Sequence, residues 1–192
     1  MKNVAVIAGP SGGGKNSILD QLVERHENCA RLVTATTRTP RSGEEDGIDY
    51  HFLSTEQFMV ALEHGDILEH RDVVGLGTHY GVYKPDIDAK LTEGKIVLAH
   101  LDIVGARRLK ELYGATTIFV MPDSPEVLEH RIRSRNPDMD DVEVMERLAI
   151  GKREMEEDIK EYDFTVINAQ GKLNDAVEEV AAILKREGYE LK

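Results

Sequence analysis

Gly9 to Ser17 reads GPSGGGKNS, and the residues on either side of this stretch decide the fold. Before it, Lys2 to Ala8 is a short apolar run rich in β-branched residues, which is typical of a strand buried on both faces. After it, Ile18, Leu22 and Val23 share one face of a predicted helix. The sequence therefore predicts a strand, a glycine-rich loop and a helix in direct succession.

Within the loop, Gly9, Gly14 and Lys15 match the phosphate-binding pattern G-x-x-x-x-G-K. Glycines let backbone N–H groups turn inward around phosphate oxygens, the helix N-terminus adds partial positive charge, and Lys15 reaches the outer phosphates. A glycine-rich turn without a ligand is the alternative, and it is disfavoured because the strand and the helix that the motif requires are both predicted. The expected phosphate loop consists of Gly9, Pro10, Ser11, Gly12, Gly13, Gly14, Lys15, Asn16 and Ser17.

Asn16 departs from this pattern, which has Ser or Thr after the lysine because a hydroxyl there ligates Mg²⁺ beside the nucleotide. The asparagine carbonyl can also ligate a hard cation. Alternatively, Ser17 takes the role with a shifted helix start, or the metal relies on water and phosphate. An impaired site is a further alternative that the sequence leaves open.

Strands and helices continue to alternate beyond the loop, and this alternation predicts the fold class. Ser124 followed by Pro125 is a typical start of a helix. The predicted elements are strands at Lys95–Leu101, Ala115–Met121 and Tyr162–Ile167, and helices at Val104–Leu112, from Pro125, at about Asp140–Glu161 and over Leu173–Leu184. The expected architecture is an α/β P-loop NTPase fold, in which helices cover both faces of a parallel sheet.

Two segments interrupt this alternation. Residues 34–83 are rich in turns and polar residues, and their later pieces ILEHRDVV and THYGVY look like short strands near a surface. We interpret them as a small mixed α/β lobe inserted into the sheet protein. Residues 125–159 are a helical segment with one apolar stripe, made of Met145, Leu148, Met155 and Ile159. The core of a single domain is expected at residues 1–33, 84–124 and 160–192.

The composition excludes several classes of partner and site. The 192 residues contain 24 Lys plus Arg against 36 Asp plus Glu, and the net charge of −12 repels a polyanion, so nucleic acid is not an expected partner. Cys29 is the single cysteine, which excludes an intramolecular disulfide and a multi-thiolate metal site. No apolar run exceeds five residues, so no membrane segment is expected. The sequence predicts a cytoplasmic protein without an obligate protein partner.

A polar stretch inside the inserted segment, Thr34 to Tyr50, reads TATTRTPRSGEEDGIDY. Arg38 and Arg41 stand three apart around Pro40, which stiffens the chain between them. Two guanidinium groups held in this way suit a doubly charged phosphate, and Tyr50 adds a hydroxyl donor. The alternative is a solvated basic loop without a ligand.

Nearly the whole chain resembles the guanylate kinases. TATTRTPRSGEEDGIDYHF is similar, almost residue for residue, to the family signature S-x-T-T-R-x-P-R-x-G-E-x-x-G-x-D-Y-x-F, and GPSGGGK is similar to its phosphate loop. ILEH and HYGV stand where the family has F-L-E and Y-Y-G-T, HRIRSR through ERLAIGKREM resembles its lid, and YDFTVIN resembles its late strand. The resemblance implies phosphoryl transfer from MgATP to GMP, and to dGMP, between a GMP-binding lobe and a helical lid.

The resemblance also assigns roles to individual residues. The implied catalytic residues are Lys15, Arg38, Arg135, Arg147 and Asp102. The implied GMP site consists of Thr34, Arg38, Arg41, Tyr50, Glu69, Tyr80 and Asp102. For ATP, the resemblance adds Arg131 and Asn168 to the phosphate loop. The candidate ligands of Mg²⁺ are Asn16 and, through water, Asp102.

A carboxylate at Glu69 suits guanine, because N1–H and the exocyclic amine are adjacent donors, whereas adenine has a bare acceptor at N1. Each of these roles has a structural alternative. Glu69 is then an exposed strand-end residue, Asp102 is a helix cap, and the arginines of residues 125–159 are solvated.

Two further residues depart from the family. Val82 stands in place of a hydroxyl residue, and His100 stands in place of a common aspartate. Two other functions stay open at this point. The fold also serves kinases of other phosphorylated acceptors, such as ribose phosphates, and catalytically weak binding modules, which typically have degraded phosphate loops. Activity on GMP, compared with activity on AMP and on ribose phosphates, discriminates among them.

Overall fold

The structure is a computed structural model, and it describes residues 2–73 and 77–192. The strands in these ranges are β1 (Val4–Ala8), β2 (Cys29–Arg31), β3 (Ala35–Thr36), β4 (His51–Phe52), β5 (Ile67–Val73), β6 (Thr78–Tyr83), β7 (Ile96–His100), β8 (Thr116–Met121) and β9 (Phe164–Ile167). The helices are α1 (Lys15–Arg25), α2 (Thr55–Glu63), α3 (Lys84–Thr92), α4 (Ile103–Tyr113), α5 (Pro125–Arg135), α6 (Asp141–Glu156) and α7 (Leu173–Arg186). A short 3-10 turn at Asp158–Glu161 follows α6.

The central sheet is parallel, with its strands in the order β2-β7-β1-β8-β9. Strand β1 lies in the middle of the sheet and is buried along its whole length, as its apolar run predicts. Helices α1 and α7 pack on one face of the sheet, and α3 and α4 pack on the other. The predicted parallel sheet with helices on both faces is confirmed. The loops that follow β1, β7 and β9 meet at the carboxyl edge of this sheet, where ligands bind in open α/β sheets.

A second sheet, in the order β4-β3-β6-β5, lies between residues 35 and 83. It is mixed, because β3 is parallel to β4 but antiparallel to β6, which is in turn antiparallel to β5. The two strands expected in this segment are confirmed as β5 and β6, and Val74, the last residue of the expected ILEHRDVV strand, lies outside the described residues. The lobe boundaries at about residues 34 and 83 stay a prediction.

Two helices in this part of the chain were not predicted from the sequence, namely α2 and α3. Helix α2 covers the second sheet with Phe58, which is buried against Ala35. The helix begins with a capping box, in which Ser54 and Gln57 each bond to the backbone N–H of the other. The S-x-x-Q spacing of STEQ is a sequence signal for this helix start.

One buried carboxylate, Asp86 on α3, joins the second sheet to the core. Its side chain accepts a hydrogen bond from the backbone N–H of Val33 at 2.9 Å and contacts His51 Nε2 at 2.9 Å. Lys90, one turn further along α3, forms an ion pair with the same carboxylate. Since Val33 leads into the inserted segment and His51 lies in β4, the entry of the segment and its sheet are bonded to one core residue.

The expected helix at Asp140–Glu161 differs from the observed one in its end and its buried face. Helix α6 ends at Glu156, and the chain then forms the 3-10 turn. Met145 is 62% exposed, whereas the neighbouring Val144 is fully buried, so the prediction that Met145 belongs to the buried stripe is wrong. The stripe continues from Val144 through Leu148, Gly151 and Met155, because successive helical residues point 100° apart. None of the described helices has the length and apolar character needed to cross a membrane.

Candidate active site

A cavity of about 650 Å³ opens at the carboxyl edge of the central sheet. Its walls come from the phosphate loop, from the residues after β7, from helices α5 and α6, and from the residue after β9. The lining residues are Gly9, Ser11, Gly12, Gly14, Lys15, Asn16, Ser17, His100, Leu101, Asp102, Ile103, Phe119, Arg131, Arg135, Glu154, Asp158, Tyr162, Asn168 and Leu173. The structure thus brings together most residues that the sequence predicts for the nucleotide donor.

The backbone of the phosphate loop packs so closely against other residues that two of its positions have no space for a side chain. Gly9 has φ 132°, and a Cβ there would lie 2.0 Å from the carbonyl oxygen of Val120 in β8. Gly14 has φ 96°, and a Cβ there would lie 2.1 Å from Asn168 Nδ2. Both backbone conformations disfavour any residue with a side chain. The loop geometry therefore depends on β8 and on the residue that follows β9.

Asn168, predicted as a contact of the donor nucleotide, also supports the loop. It is 4% exposed, and its Nδ2 donates a hydrogen bond to the carbonyl oxygen of Gly13 at 2.9 Å. The backbone carbonyl oxygen of Asn168 accepts a hydrogen bond from Arg131 Nη2 at 2.9 Å. Asn168 therefore connects the loop with α5, a role that the sequence alone did not indicate.

Lys15 is buried at the floor of the cavity, with its ammonium group among backbone oxygens. Its Nζ donates hydrogen bonds to the carbonyl oxygens of Gly9 at 2.6 Å and of Pro10 at 2.8 Å. Burial lowers the pKa of Lys15 to about 8; nearby Glu154 opposes this shift, and nearby Arg135 adds to it. The loss of hydration explains the direction, because an ammonium group is disfavoured where water is excluded.

The three arginines predicted for the lid have different surroundings. Arg131 and Arg135, both on α5, line the cavity. Arg147 does not line it, because its guanidinium group forms an ion pair with Glu143 at 2.8 Å one turn earlier on α6. The structure therefore brings two of the three arginines to the phosphate loop.

A second cluster, in the inserted segment, holds the predicted acceptor residues Arg38, Tyr50 and Tyr80. Both terminal nitrogens of Arg38 donate to the carboxylate of Glu44 at 2.9 Å, and its Nε donates to the hydroxyl of Tyr80 at 3.0 Å. The Arg38 guanidinium also lies 5.5 Å from the centre of the Tyr50 ring. Arg38 is fixed on three sides, which orients its fork before any ligand binds.

Glu44 was not predicted as a functional residue, although it holds this cluster together. Besides its bidentate contact with Arg38, it accepts a hydrogen bond from the backbone N–H of Arg41 at 2.7 Å. The hydrogen bonds from Arg38 and Arg41 hold the pKa of the Glu44 carboxyl below its usual value. The local signal in the sequence for this contact is the position of Glu44, three residues after Arg41. The side chain of Arg41 itself is exposed.

Glu69 and Thr34 lie apart from the phosphate-loop cavity. Glu69, on β5, lines a separate cleft of about 420 Å³ between β5 and α4. Burial raises the pKa of its carboxyl group, and the cations Arg71 and His70 oppose that shift. Thr34 is partly buried just before β3. The two residues expected to contact the guanine base therefore belong to the inserted segment, like the Arg38 cluster.

Asp102 lies at the point where the core meets the inserted segment. It is the N-cap of α4, where its Oδ1 accepts hydrogen bonds from the backbone N–H groups of Val104 and Gly105, both at 3.1 Å. Its Oδ2 forms an ion pair with Arg71 of β5. The helix-cap alternative is thus present in the structure, and Arg71 is a partner that the sequence did not suggest.

The two other departures from the family pattern have different surroundings. Val82 is fully buried in the core cluster that also contains Ile87 of α3, so its side chain contributes to packing. His100, the last residue of β7, lines the cavity. Loss of hydration lowers the pKa of its imidazole to about 4, because the charged form is disfavoured where water is excluded. The positive charges of Lys15, Arg31 and Arg135 lower the pKa further.

Both residues predicted to ligate Mg²⁺ already bond to protein groups. The Oδ1 atom of Asn16 accepts a hydrogen bond from Arg31 Nη2 at 3.1 Å, and both oxygens of Asp102 have the partners described above. Among the described residues, no group of three or more His, Cys, Asp or Glu side chains is arranged to hold a metal ion. A guanidinium cation lies against an oxygen of each residue, so the donor set at these two positions does not fit a protein-bound Mg²⁺, which requires oxygen ligands in near-ideal octahedral geometry.

Comparisons with known proteins agree with this geometry. The family model described as guanylate kinase matches residues 1–187. A guanylate kinase of Methylobacillus flagellatus is 37% identical over 184 residues, which cover 95% of this chain and 88% of that protein. One from Clostridium perfringens is 39% identical over 183 residues, with 95% and 82% covered.

A solved structure gives the same result for the fold. The crystal structure of guanylate kinase from Anaplasma phagocytophilum is similar with a TM-score of 0.70 and 27% identity, and the match covers 98% of this chain and 87% of that one. The predicted fold class and the predicted resemblance are confirmed. The chain belongs to the guanylate kinase family.

Proposed function

We propose that this protein transfers the terminal phosphoryl group of MgATP to GMP, giving ADP and GDP. The observation that carries the proposal is a phosphate loop that retains Gly9, Gly14 and buried Lys15, in a chain that belongs to the guanylate kinase family. Degraded phosphate loops are typical of the binding modules that share this fold. Nothing in the structure or the comparisons favours a binding module or a kinase of another acceptor.

On the donor side, ATP occupies the cavity at the carboxyl edge of the sheet. The backbone N–H groups of the phosphate loop and the N-terminus of α1 bind the phosphates. Lys15 and Arg135, whose side chains line this cavity, neutralise the negative charge that develops on the transferred group. Arg131, bonded to the carbonyl of Asn168, holds α5 against the loop beside the nucleotide.

On the acceptor side, the phosphate of GMP binds to Arg38, Arg41, Tyr50 and Tyr80. Glu44 and Tyr80 already hold the Arg38 guanidinium in one orientation, so less conformational entropy is lost when the phosphate approaches its remaining N–H donor. Glu69 and Thr34 read the guanine base. The deoxynucleotide dGMP presents the same base and phosphate and is therefore also an acceptor.

No covalent intermediate on the protein is required for this reaction. A phosphate oxygen of GMP is itself the nucleophile and is largely ionised at neutral pH, so catalysis consists of positioning and charge neutralisation. The main obstacle is the repulsion between two polyanions. The contribution of Arg147, which is paired with Glu143 on the lid, requires a movement of its side chain toward the phosphates.

An acceptor panel tests the proposal. ADP release from ATP is measured in a coupled assay with GMP, dGMP, AMP, UMP, CMP and ribose 5-phosphate in turn. We expect GMP and dGMP to give the highest kcat/KM, because Glu69 pairs with the two adjacent donors of guanine. Two charge-assisted hydrogen bonds correspond to about 10²- to 10⁴-fold discrimination. Turnover of GMP no faster than that of AMP contradicts the proposed acceptor.

The cytoplasmic location expected from the sequence stays a prediction.

A further inference from the structure

We infer that this protein gives the Mg²⁺ of MgATP no ligand from the two positions where P-loop enzymes usually supply one, and that Asn16 is instead a structural contact of α1. The two usual positions are the residue after the phosphate-loop lysine and an acid at the end of a neighbouring strand. Here they hold Asn16 and His100. The inference rests on the proposed function, since it concerns how the same ATP is bound.

The first argument is the contact that the Asn16 side chain makes. Arg31, at the end of β2, donates from Nη2 to Asn16 Oδ1 at 3.1 Å and from Nη1 to Asp20 at 2.5 Å. Asn16 and Asp20 are one turn apart on α1, so one guanidinium fork bonds to the same side of the helix twice. A cation already bonded to the amide oxygen disfavours the approach of a second, divalent cation.

The helix start supports the same conclusion. Helix α1 begins at Lys15, so Asn16 is already inside its first turn and the helix start is not shifted toward Ser17. The alternative in which Ser17 takes over the usual metal position by a shifted helix therefore has no support in the backbone. Ser17 lines the cavity as a neutral hydroxyl, which provides at most one oxygen.

The second argument concerns the acids around the sheet edge. His100 ends β7, next to β1, and an imidazole nitrogen is a poor ligand for Mg²⁺ compared with a carboxylate. Asp102, two residues later, uses Oδ1 to cap α4 and Oδ2 to bind Arg71. Two cationic side chains, Lys15 and Arg135, line the same cavity. Charge neutralisation at this site is therefore supplied by side chains of the protein, and the metal is carried by the nucleotide.

Calorimetry of ATP binding tests the inference without turnover. The affinity for ATP is measured on the unmodified protein in excess MgCl₂ and in EDTA, and we expect the two dissociation constants to agree within about threefold. The double variant Asn16→Ser plus His100→Asp introduces a hydroxyl and a carboxylate at the two positions. In this variant we expect Mg²⁺ to tighten ATP binding at least about tenfold, because mutation of the groups around a metal changes its affinity by about 10- to 100-fold.

A matched control separates this effect from the loss of an Arg–Asn contact. Asn174 on α7 accepts a hydrogen bond from Arg25 Nη2 at 2.8 Å, outside the cavity. We expect Asn174→Ser to leave the ratio of the two dissociation constants unchanged, whereas Asn16→Ser alone increases it. Arg31→Gln is also introduced into the unmodified protein and into the Asn16→Ser variant. Because Arg31 bonds to Asn16, we expect it to lower the melting temperature more in the unmodified protein than in the variant.

The possible results distinguish the inference from the function on which it rests. Binding of ATP that is at least tenfold tighter with Mg²⁺ in the unmodified protein overturns the inference and leaves the proposed kinase activity intact. Equal Mg²⁺ dependence of the unmodified protein and the double variant also overturns it. No binding of ATP under either condition overturns the proposed function and the inference together.

Discussion

The regions proposed for the donor and the acceptor nucleotide are built in different ways. At the donor end, the backbone of the phosphate loop is fixed by contacts that leave no space for a side chain, as at Gly14 against Asn168. At the acceptor end, the key group is a side chain, Arg38, held by Glu44 and Tyr80. Arg38 and Glu44 keep 15% and 19% of their side-chain surface exposed. Substitution of a loop glycine at the donor end should therefore affect both folding and binding, whereas substitution of Arg38 at the acceptor end should mainly affect binding.

The largest effect is expected from Lys15→Ala. This substitution removes the ammonium group that lies at the floor of the cavity, so stabilisation of the transferring phosphoryl group is lost. We expect kcat with ATP and GMP to fall by about 10³-fold or more. The far-ultraviolet circular dichroism should keep its native shape, because the buried ammonium contributes little to core packing. Near-normal turnover would contradict the role of Lys15.

The next effect sharpens the donor side of the comparison. Gly14→Ala places a Cβ at 2.1 Å from Asn168 Nδ2, and we expect the affinity for ATP to fall about 10²-fold because the loop must move. Gly94→Ala is the matched control, since Gly94 also has a positive φ, of 74°, but a Cβ there would meet no atom within 4 Å. Both variants lose about 1–2 kcal/mol from the left-handed backbone.

Calorimetry of ATP binding and thermal unfolding measure the two variants side by side. If Gly14→Ala and Gly94→Ala bind ATP equally well, the contact with Asn168 does not determine the loop geometry.

A smaller effect is expected on the acceptor side. Arg38→Lys keeps the charge but loses the fork that bonds to Glu44 and Tyr80, so we expect the KM for GMP to rise about 10- to 10²-fold. The KM for ATP and the melting temperature should stay nearly unchanged. Arg133→Lys serves as the control, because Arg133 makes a similar double contact with Glu129 and Asp141 on the surface of α5. A parallel rise in the KM for ATP would contradict the separation of the two regions.

The smallest effect is the loss of activity expected between pH 8 and pH 9, which is about tenfold. Burial lowers the pKa of Lys15 to about 8, so the free enzyme loses this charge as the pH rises above that value. We expect kcat/KM for ATP to fall above pH 8, about tenfold for each further pH unit. Bound phosphates favour the ammonium form, so kcat should begin to fall only at a higher pH. A kcat/KM that stays constant to pH 10 would contradict the lowered pKa.

The sequence predicted the elements that local pattern determines. The apolar run before the loop, the glycine pattern and the strand–helix alternation are all local signals, and β1, α1 and the parallel sheet follow from them. On the buried face of α6, Leu148 and Met155 were assigned correctly, but Met145 was chosen in place of Val144, because both residues are apolar and only packing against α5 selects between them.

The parts of the site that the sequence did not predict depend on pairs of distant residues. Arg31 and Asn16 stand on different elements, and so do Arg71 and Asp102. A single sequence contains no signal for such pairs, because each partner alone resembles an ordinary surface residue. The role of Glu44 was closer to prediction, since it belongs to the arginine signature, but its bidentate contact required the folded loop.

The carboxylate of Asp86 has a consequence for redesigning the enzyme. It bonds to Val33, where the chain leaves the core, and to His51 inside the lobe, while Asp86 itself follows closely on the returning strand β6. Asp86 is thus one anchor of the inserted segment, and the ion pair between Arg71 and Asp102 is a second. A segment with another acceptor preference, grafted between Val33 and Asp86, would retain both anchors only if it carried a histidine equivalent to His51 and an arginine equivalent to Arg71.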